Sequence, residues 1–288
     1  MKKTLIACLL LATMASFSAQ ADDATAPNGA GTGAPNAGGD ATANNAAANG
    51  GWSGSGEFGF ASATGNSRSQ NLNGKLNLNQ ENDQWKNNFY VEMLRSKSQQ
   101  SVVNASGATV QQFNATANRY DGGASVGYKL DPRSYIVTAA RYDHDDFGAN
   151  IWQGVLSVGY GYIALKDDTN ELSFEIGPGY KRYRPAAVET VVGGVEQPQQ
   201  VTSTQSEPIA RGLVNFKHKL TDNTAIEDTF LTEAGTKNTF MQNDAGLAVS
   251  VTRKLALKVG FQVRHNSSVL PGIRKNDTLT TTNLVYKL

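Results

Sequence analysis

The 288-residue chain carries 26 Lys and Arg against 25 Asp and Glu, a single cysteine, and a mean hydropathy of −0.39. That balance leaves no basic surplus for a nucleic-acid partner, and beyond residue 21 no stretch approaches the ~20 apolar residues of a membrane-spanning helix. Frequent Gly, Asn, Thr and aromatic residues point to an exported all-β protein, either a soluble sandwich or a transmembrane barrel.

Residues 1–21 read as a secretory signal peptide: Lys2 and Lys3, an apolar run from Leu5 to Ala12, then Ala19-Gln20-Ala21 as the cleavage site. Leu5-Ile6-Ala7-Cys8 formally matches a lipoprotein box, but few residues precede Cys8 and the apolar run continues past it. Cleavage removes the cysteine, so the mature chain has neither disulfide nor thiolate chemistry. Removing Lys2 and Lys3 from the 26 basic residues leaves 24 against 25 acidic ones. Residues 22–51, rich in Ala, Gly and Asn and free of aromatic residues and periodicity, bury too little apolar surface to offset their ordering entropy and read as a disordered linker.

From Trp52 onward the pattern alternates with period two, which gives each segment one apolar and one polar face. Twelve such runs can be counted: 52–64, 67–80, 85–97, 111–129, 134–145, 151–164, 170–184, 207–220, 224–234, 240–252, and two more from the closing hairpin around 269–275. In the second, Leu72, Leu76 and Leu78 oppose Asn71, Asn73, Lys75, Asn77 and Asn79. Pro178, which has no ladder donor, predicts a bulge or strand end. Asp228 shares a face with Ile226 and Phe230, so it either lies near an interface or the parity of that run is misread.

Connections after even-numbered runs are short and turn-rich (81–84, 131–133, 166–169, 221–223, 253–254), whereas 98–110 and 185–206, after odd-numbered runs, are long. Only the first hairpin breaks the rule. Short turns at one end and long loops at the other, with an even strand number, are the pattern of an outer-membrane barrel whose termini are periplasmic. The expected fold is therefore a single antiparallel up-and-down transmembrane β-barrel of about 12 strands over residues 52–288.

In that barrel Trp52, Trp85, Tyr128, Tyr160, Tyr162 and Tyr286 fall near the periplasmic strand ends and Tyr142 and Trp152 near the outer ends, as membrane-interface girdles require. The competing reading makes them sandwich-core aromatics. Expected lumen residues are Lys75, Glu92, Lys129, Arg141, Glu175, Lys181, Lys258 and Arg264. Their mixed signs suit cross-barrel ion pairs or a narrow hydrated path, and a filled interior and a pore both remain open. The partners this implies are outer-membrane lipid and an assembly machinery that reads the C-terminal strand.

No cofactor or metal site is expected, since His144, His218 and His265 have no ligand spacing. His265 and Ser267 are two apart on a run, so the ring could serve the hydroxyl as general base. This pair resembles that of the outer-membrane phospholipase A family, twelve-stranded barrels whose His-x-Ser is completed by an Asn. The resemblance covers two residues, the wider motif is absent, and Asn276 or Asn283 would have to supply the third member. A polar strand end meeting lipid headgroups is the plainer reading.

The segment Trp52-Ser53-Gly54-Ser55-Gly56-Glu57-Phe58-Gly59-Phe60, then Ala63-Thr64-Gly65-Asn66-Ser67, and a terminal Asn283-Leu284-Val285-Tyr286-Lys287-Leu288 resemble the salt-induced outer-membrane protein family, a domain of unknown function. The resemblance implies a Gram-negative outer-membrane barrel linked to salt stress and supplies no catalytic residues. The chain departs from the usual terminal Phe in ending with Leu288. The functional expectations are a small-solute channel or envelope component, then a filled structural or surface-interaction barrel, then a lipid hydrolase.

Overall fold

The computed structural model describes residues 51–288 other than 66–67, 105, 187–190, 193–194, 197–201 and 270–272. The signal peptide, the leader up to residue 50, half of the T-G-N-S turn, much of loop 185–206 and the Pro271-Gly272 loop lie outside the described residues. The strands in chain order are β1 (Trp52–Ala63), β2 (Ser69–Glu81), β3 (Trp85–Val103), β4 (Thr109–Lys129), β5 (Ser134–Asp145), β6 (Asn150–Lys166) and β7 (Asn170–Pro185). Then come β8 (Val191–Val192), β9 (Val195–Glu196), β10 (Gln205–Lys219), β11 (Thr224–Gly235), β12 (Thr239–Ser250), β13 (Leu255–Asn266) and β14 (Asn276–Lys287). β8 and β9 pair only with each other inside a loop, and the other twelve close an antiparallel barrel in the order β1-β14-β13-β12-β11-β10-β7-β6-β5-β4-β3-β2.

Alternation sets the wall. Phe58, Phe60, Val91, Leu156, Val158, Ile176, Leu257, Val259 and Leu284 are exposed on the outside, while intervening residues such as Asn77, Asp121, Gln153, Lys181 and Arg264 are buried inside. The core of this protein is thus polar and its surface apolar, the reverse of a water-soluble domain. Two inward tyrosines fill space that glycines leave. A Cβ on Gly161 would collide with the Tyr135 ring, and one on Gly123 with the Tyr90 ring.

The turns at the end that holds the termini share one device: a short polar side chain accepts backbone N–H bonds and closes the turn. Asn82 accepts from Gln84 and Trp85 (2.9 and 2.8 Å), Asp131 from Arg133 and Ser134 (2.7 and 2.9 Å), and Asp167 from Thr169 and Asn170 (3.0 and 2.9 Å). These N–H donors hold the carboxyls of Asp131 and Asp167 below the usual aspartate range.

Segment 98–110 is not the long loop that its composition suggests. β3 and β4 run on as a paired ribbon to Val103 and Thr109, past a register shift at Ser96/Lys97. Asn104 accepts N–H bonds from Ser106 (3.1 Å) and Ala108 (2.9 Å) to close the tip. Polar residues (Ser98, Gln99, Gln100, Ser101, Gln111, Gln112) fall on both faces there, with Val102, Val103, Val110 and Phe113 scattered among them, so the period-two signal disappears while the backbone ladder continues.

Pro178 makes neither a bulge nor an end. It stays paired with Ala210, and the ladder to β6 lapses opposite Gly177 and Pro178 and resumes in the same register. The parity of β11 is as read, since Glu227 faces the lumen cations and Asp228 therefore points outward. Asp228 is 8% exposed and accepts a hydrogen bond from Asn243 at 2.9 Å.

The closing strand pairs with the first, but over a short seam: residues 55–58 of β1 oppose 284–287 of β14. Gly59 lies just beyond the seam, where a Cβ would strike the side chains of both Asn73 and Asn283. Because that side chain is missing, Asn73 of β2 reaches over β1 and donates to Asn283 of β14 at 2.8 Å.

Candidate functional site: the lumen and its septum

The lumen divides into three levels. At the end that holds the termini, two adjoining cavities of about 540 and 510 Å³ share Ser53, Asp168, Thr169, Lys217 and Lys219 and so form one vestibule. Here Glu81 accepts from Lys129 at 2.8 Å and from Lys166 at 2.7 Å, and Lys86 lies 3.7 Å from Glu171.

The middle level holds a cavity of about 70 Å³. Lys258 lies 3.0 Å from Glu57 and 3.4 Å from Glu227, and Lys75 lies 3.5 Å from Glu92. Gln262 donates to Asp244.

Toward the far end a septum crosses the barrel. Arg264 on β13 reaches Asp143 at 3.1 Å and Asp145 at 3.6 Å on β5. In the ring of twelve strands β13 and β5 are six positions apart in either direction, so this bridge spans a diameter. Arg141 on β5 pairs with Asp121 on β4 (3.2 Å) and with Glu233 on β11 (2.8 Å), and Arg119 on β4 lies 3.7 Å from Asp145.

Phe240, fully buried, sits against both bridging guanidiniums, 5.0 Å from Arg141 and 5.1 Å from Arg264. The space beside Asp143, Asp145 and Arg264 is about 10 Å³, at the lower limit for one water molecule. Beyond it Lys181, with no exposed surface, pairs with Glu207 at 3.1 Å and donates to the Asn238 carbonyl at 3.0 Å.

All eight residues expected in the lumen take part in these ion pairs, with Glu175 held by Arg211 (2.9 Å) and Tyr135 (3.1 Å). The sequence reading missed Arg119, Asp121, Glu233 and Phe240. Parity could have found them: Asp121 is an even number of residues from Lys129, and Phe240 shares its parity with Gln242 and Asp244.

Outside, Trp52, Trp85, Tyr128, Tyr160, Tyr162, Tyr286 and Tyr142 are exposed, and Trp152 is half-buried. Trp52 stacks on Phe89, Trp85 meets Tyr128 edge-on, and Tyr120 stacks on both Tyr142 and His144.

The structure does not join His265 to Ser267. β13 ends at Asn266, so Ser267 leaves the strand, where its hydroxyl accepts from the Thr239 N–H (2.8 Å) and donates to Asn238 (3.3 Å). His265 Nδ1 lies 2.6 Å from Asn276 Oδ1, which brings one nominated third member to the ring but not the hydroxyl. His144 bonds Asp146 at 2.9 Å and His218 bonds Asn170 at 2.8 Å. Among the described residues no group of three or more His, Cys, Asp or Glu could hold a metal ion.

A family model described as "Protein of unknown function, DUF481" matches residues 56–288. No curated protein matches the sequence. Among solved structures the chain is similar to the NanC porin at 11% identity and TM-score 0.41, covering 82% of this chain and 97% of that one. It is also similar to the translocator domain of the autotransporter NalP from Neisseria meningitidis (9%, TM-score 0.45, covering 82% and 86%). A third is an outer membrane channel from Pseudomonas putida F1 (10%, TM-score 0.40, covering 82% and 94%).

Proposed function

The chain belongs to the family described as Protein of unknown function, DUF481, and from that premise we propose that it is an outer-membrane barrel offering small polar solutes or ions a narrow path with a closed septum. The observation that carries this reading is the lumen itself: the vestibule adjoins a middle cavity of about 70 Å³ at Glu57, Lys75, Glu227 and Lys258, and beside the Arg264 bridge about 10 Å³ remains. Charged and amide side chains line the vestibule and the middle level, while buried Leu213, Leu231 and Phe240 and buried Tyr135, Val137 and Ile163 fill part of the interior.

The apolar outer wall with aromatic residues toward its rims supports a place in a bilayer, reached through the signal peptide. The outward stripe Leu284, Tyr286 and Leu288 supports recognition by an assembly machinery. The role under osmotic or ionic stress rests on the sequence resemblance.

Single-channel recording of the refolded protein in planar bilayers tests the path. Discrete small steps are expected, rare in the unmodified protein and frequent in Arg264→Ala. Silence from both proteins, with insertion verified, would sink the channel. A second reading, a filled structural barrel, draws its support from the Arg264 to Asp143 bridge across the full diameter, and that silence is the outcome it expects.

A further inference from the structure

Most charged side chains on the inward face of this barrel meet opposite charges, whereas on the outward face Arg182 and Arg184 form a close pair of cations with no ion pair among the described residues, Arg95 standing singly on β3. Arg182 and Arg184 alternate with the inward Lys181 and Tyr183 on β7, so both project from the outer wall, two residues apart and on the same side. Arg182 is exposed and Arg184 half-buried, and among the described residues neither forms an ion pair.

Their position is specific. Arg184 is in register with Trp152, and Arg182 is in register with Gly154 on one side and Ser206 on the other. A Cβ added to Gly154 would meet nothing within 4 Å, so a shallow open notch lies beside the Arg182 backbone. Toward the barrel middle the same face continues as Tyr180 (54% exposed), Leu156 (58%) and Ile176 (69%). Two guanidiniums thus stand at the head of a bare apolar stripe, at the aromatic rim away from the termini.

We infer that this is a binding site for a membrane lipid whose headgroup carries a phosphomonoester. Two forks one pleat repeat (about 7 Å) apart can converge on a single dianionic phosphate, and arginine suits phosphate better than lysine because its planar fork donates two parallel bonds. The Ser206 hydroxyl adds a donor. Acyl chains lying on Tyr180, Leu156 and Ile176 distinguish a lipid from free phosphate, which would gain nothing from that stripe. The inference rests on the bilayer placement proposed above.

The test is native mass spectrometry of the refolded full chain in detergent, titrated with dioleoyl phosphatidic acid, dioleoyl phosphatidylglycerol and dioleoyl phosphatidylcholine, with inorganic phosphate as competitor. Phosphatidic acid should be retained best, and the Arg182→Gln/Arg184→Gln protein should bind it about tenfold more weakly, the scale expected for losing two charge-assisted contacts. Gly154→Phe fills the notch and crowds Arg182 while leaving both arginines in the chain, and should produce a similar loss, which answers the question if the double variant does not fold.

Equal retention of phosphatidic acid by variant and unmodified protein overturns the site, as does equal retention of phosphatidic acid and phosphatidylglycerol or full displacement by inorganic phosphate. Flotation of the unmodified protein with phosphatidylcholine vesicles is scored separately: protein that fails to float refutes the bilayer placement, whereas protein that floats but does not discriminate among the lipids refutes only the site.

Discussion

The two ends of the lumen use the same charge chemistry to opposite effect. In the vestibule lysines meet Glu81 and Glu171, Lys166 keeps half of its side chain exposed, and about 540 Å³ stays open. In the septum arginines meet Asp121, Asp143, Asp145 and Glu233, every partner is at most 12% exposed, and about 10 Å³ remains. An ammonium is a compact, strongly hydrated point charge: Lys166 keeps it in water, and Lys181 gives that water up only for Glu207 and the Asn238 carbonyl. A guanidinium is flat, sheds water more readily and stacks on an aromatic face, which lets Phe240 fill the gap between Arg141 and Arg264. In the septum the closure thus comes from two guanidiniums that span the lumen with an aromatic ring between them.

The strongest way to break this contrast is to remove a spanning cation. Arg264→Ala leaves Asp143 and Asp145 facing one another without their main partner and should cost about 3–5 kcal/mol, read as a lowered midpoint in urea unfolding of the reconstituted barrel, together with more frequent conductance steps. Next is the wall beside the lumen. Gly59→Val would push apart the Asn73 to Asn283 bond and open the seam, with an expected loss of about 2–3 kcal/mol from overpacking and an unsatisfied amide, visible as faster hydrogen exchange on β1 and β14. By contrast, Lys166→Ala in the vestibule should change stability by less than about 1 kcal/mol, since half-exposed pairs are well screened, and should leave the conductance steps unchanged.

The smallest effect is expected at the turns and only over part of the pH range. Because its N–H donors depress the folded-state value of Asp167, its contribution is complete above the unfolded-state value near 3.8 and is lost as pH falls through the lower folded value. Asp167→Ala should therefore lower the melting temperature at pH 7 and bring it level with the unmodified protein in strong acid.

Strand number, closure and the inward face were legible because burial on one side of a sheet imposes strict parity, and Lys75, Arg141, Lys181 and Arg264 could be assigned to the lumen from alternation alone. Two kinds of feature were hidden. The β3–β4 ribbon lies beyond the apolar wall, where polar residues fall on both faces and parity carries no signal. The septum depends on which residues face each other across a diameter, a relation set by barrel closure and strand tilt rather than by spacing along the chain. Ser267 shows a third limit: the rule that residues two apart share a face ends where the strand ends, at Asn266.

The short seam between β1 and β14 also governs how the protein folds. Each other wall contact joins barrel strands that follow one another along the chain, with β8 and β9 intervening between β7 and β10, so the sheet can grow hairpin by hairpin at modest loop-closure cost. Bringing residues 55–58 to 284–287 closes a loop of nearly the whole barrel, which costs roughly 3–4 kcal/mol more than closing a tight turn. That step is recovered from few backbone pairs plus the stitch from Asn73 through Asn283 to Glu57. The rate-limiting species should be a curled, complete sheet with both terminal strands still free, and the same line is where the finished barrel would first come apart.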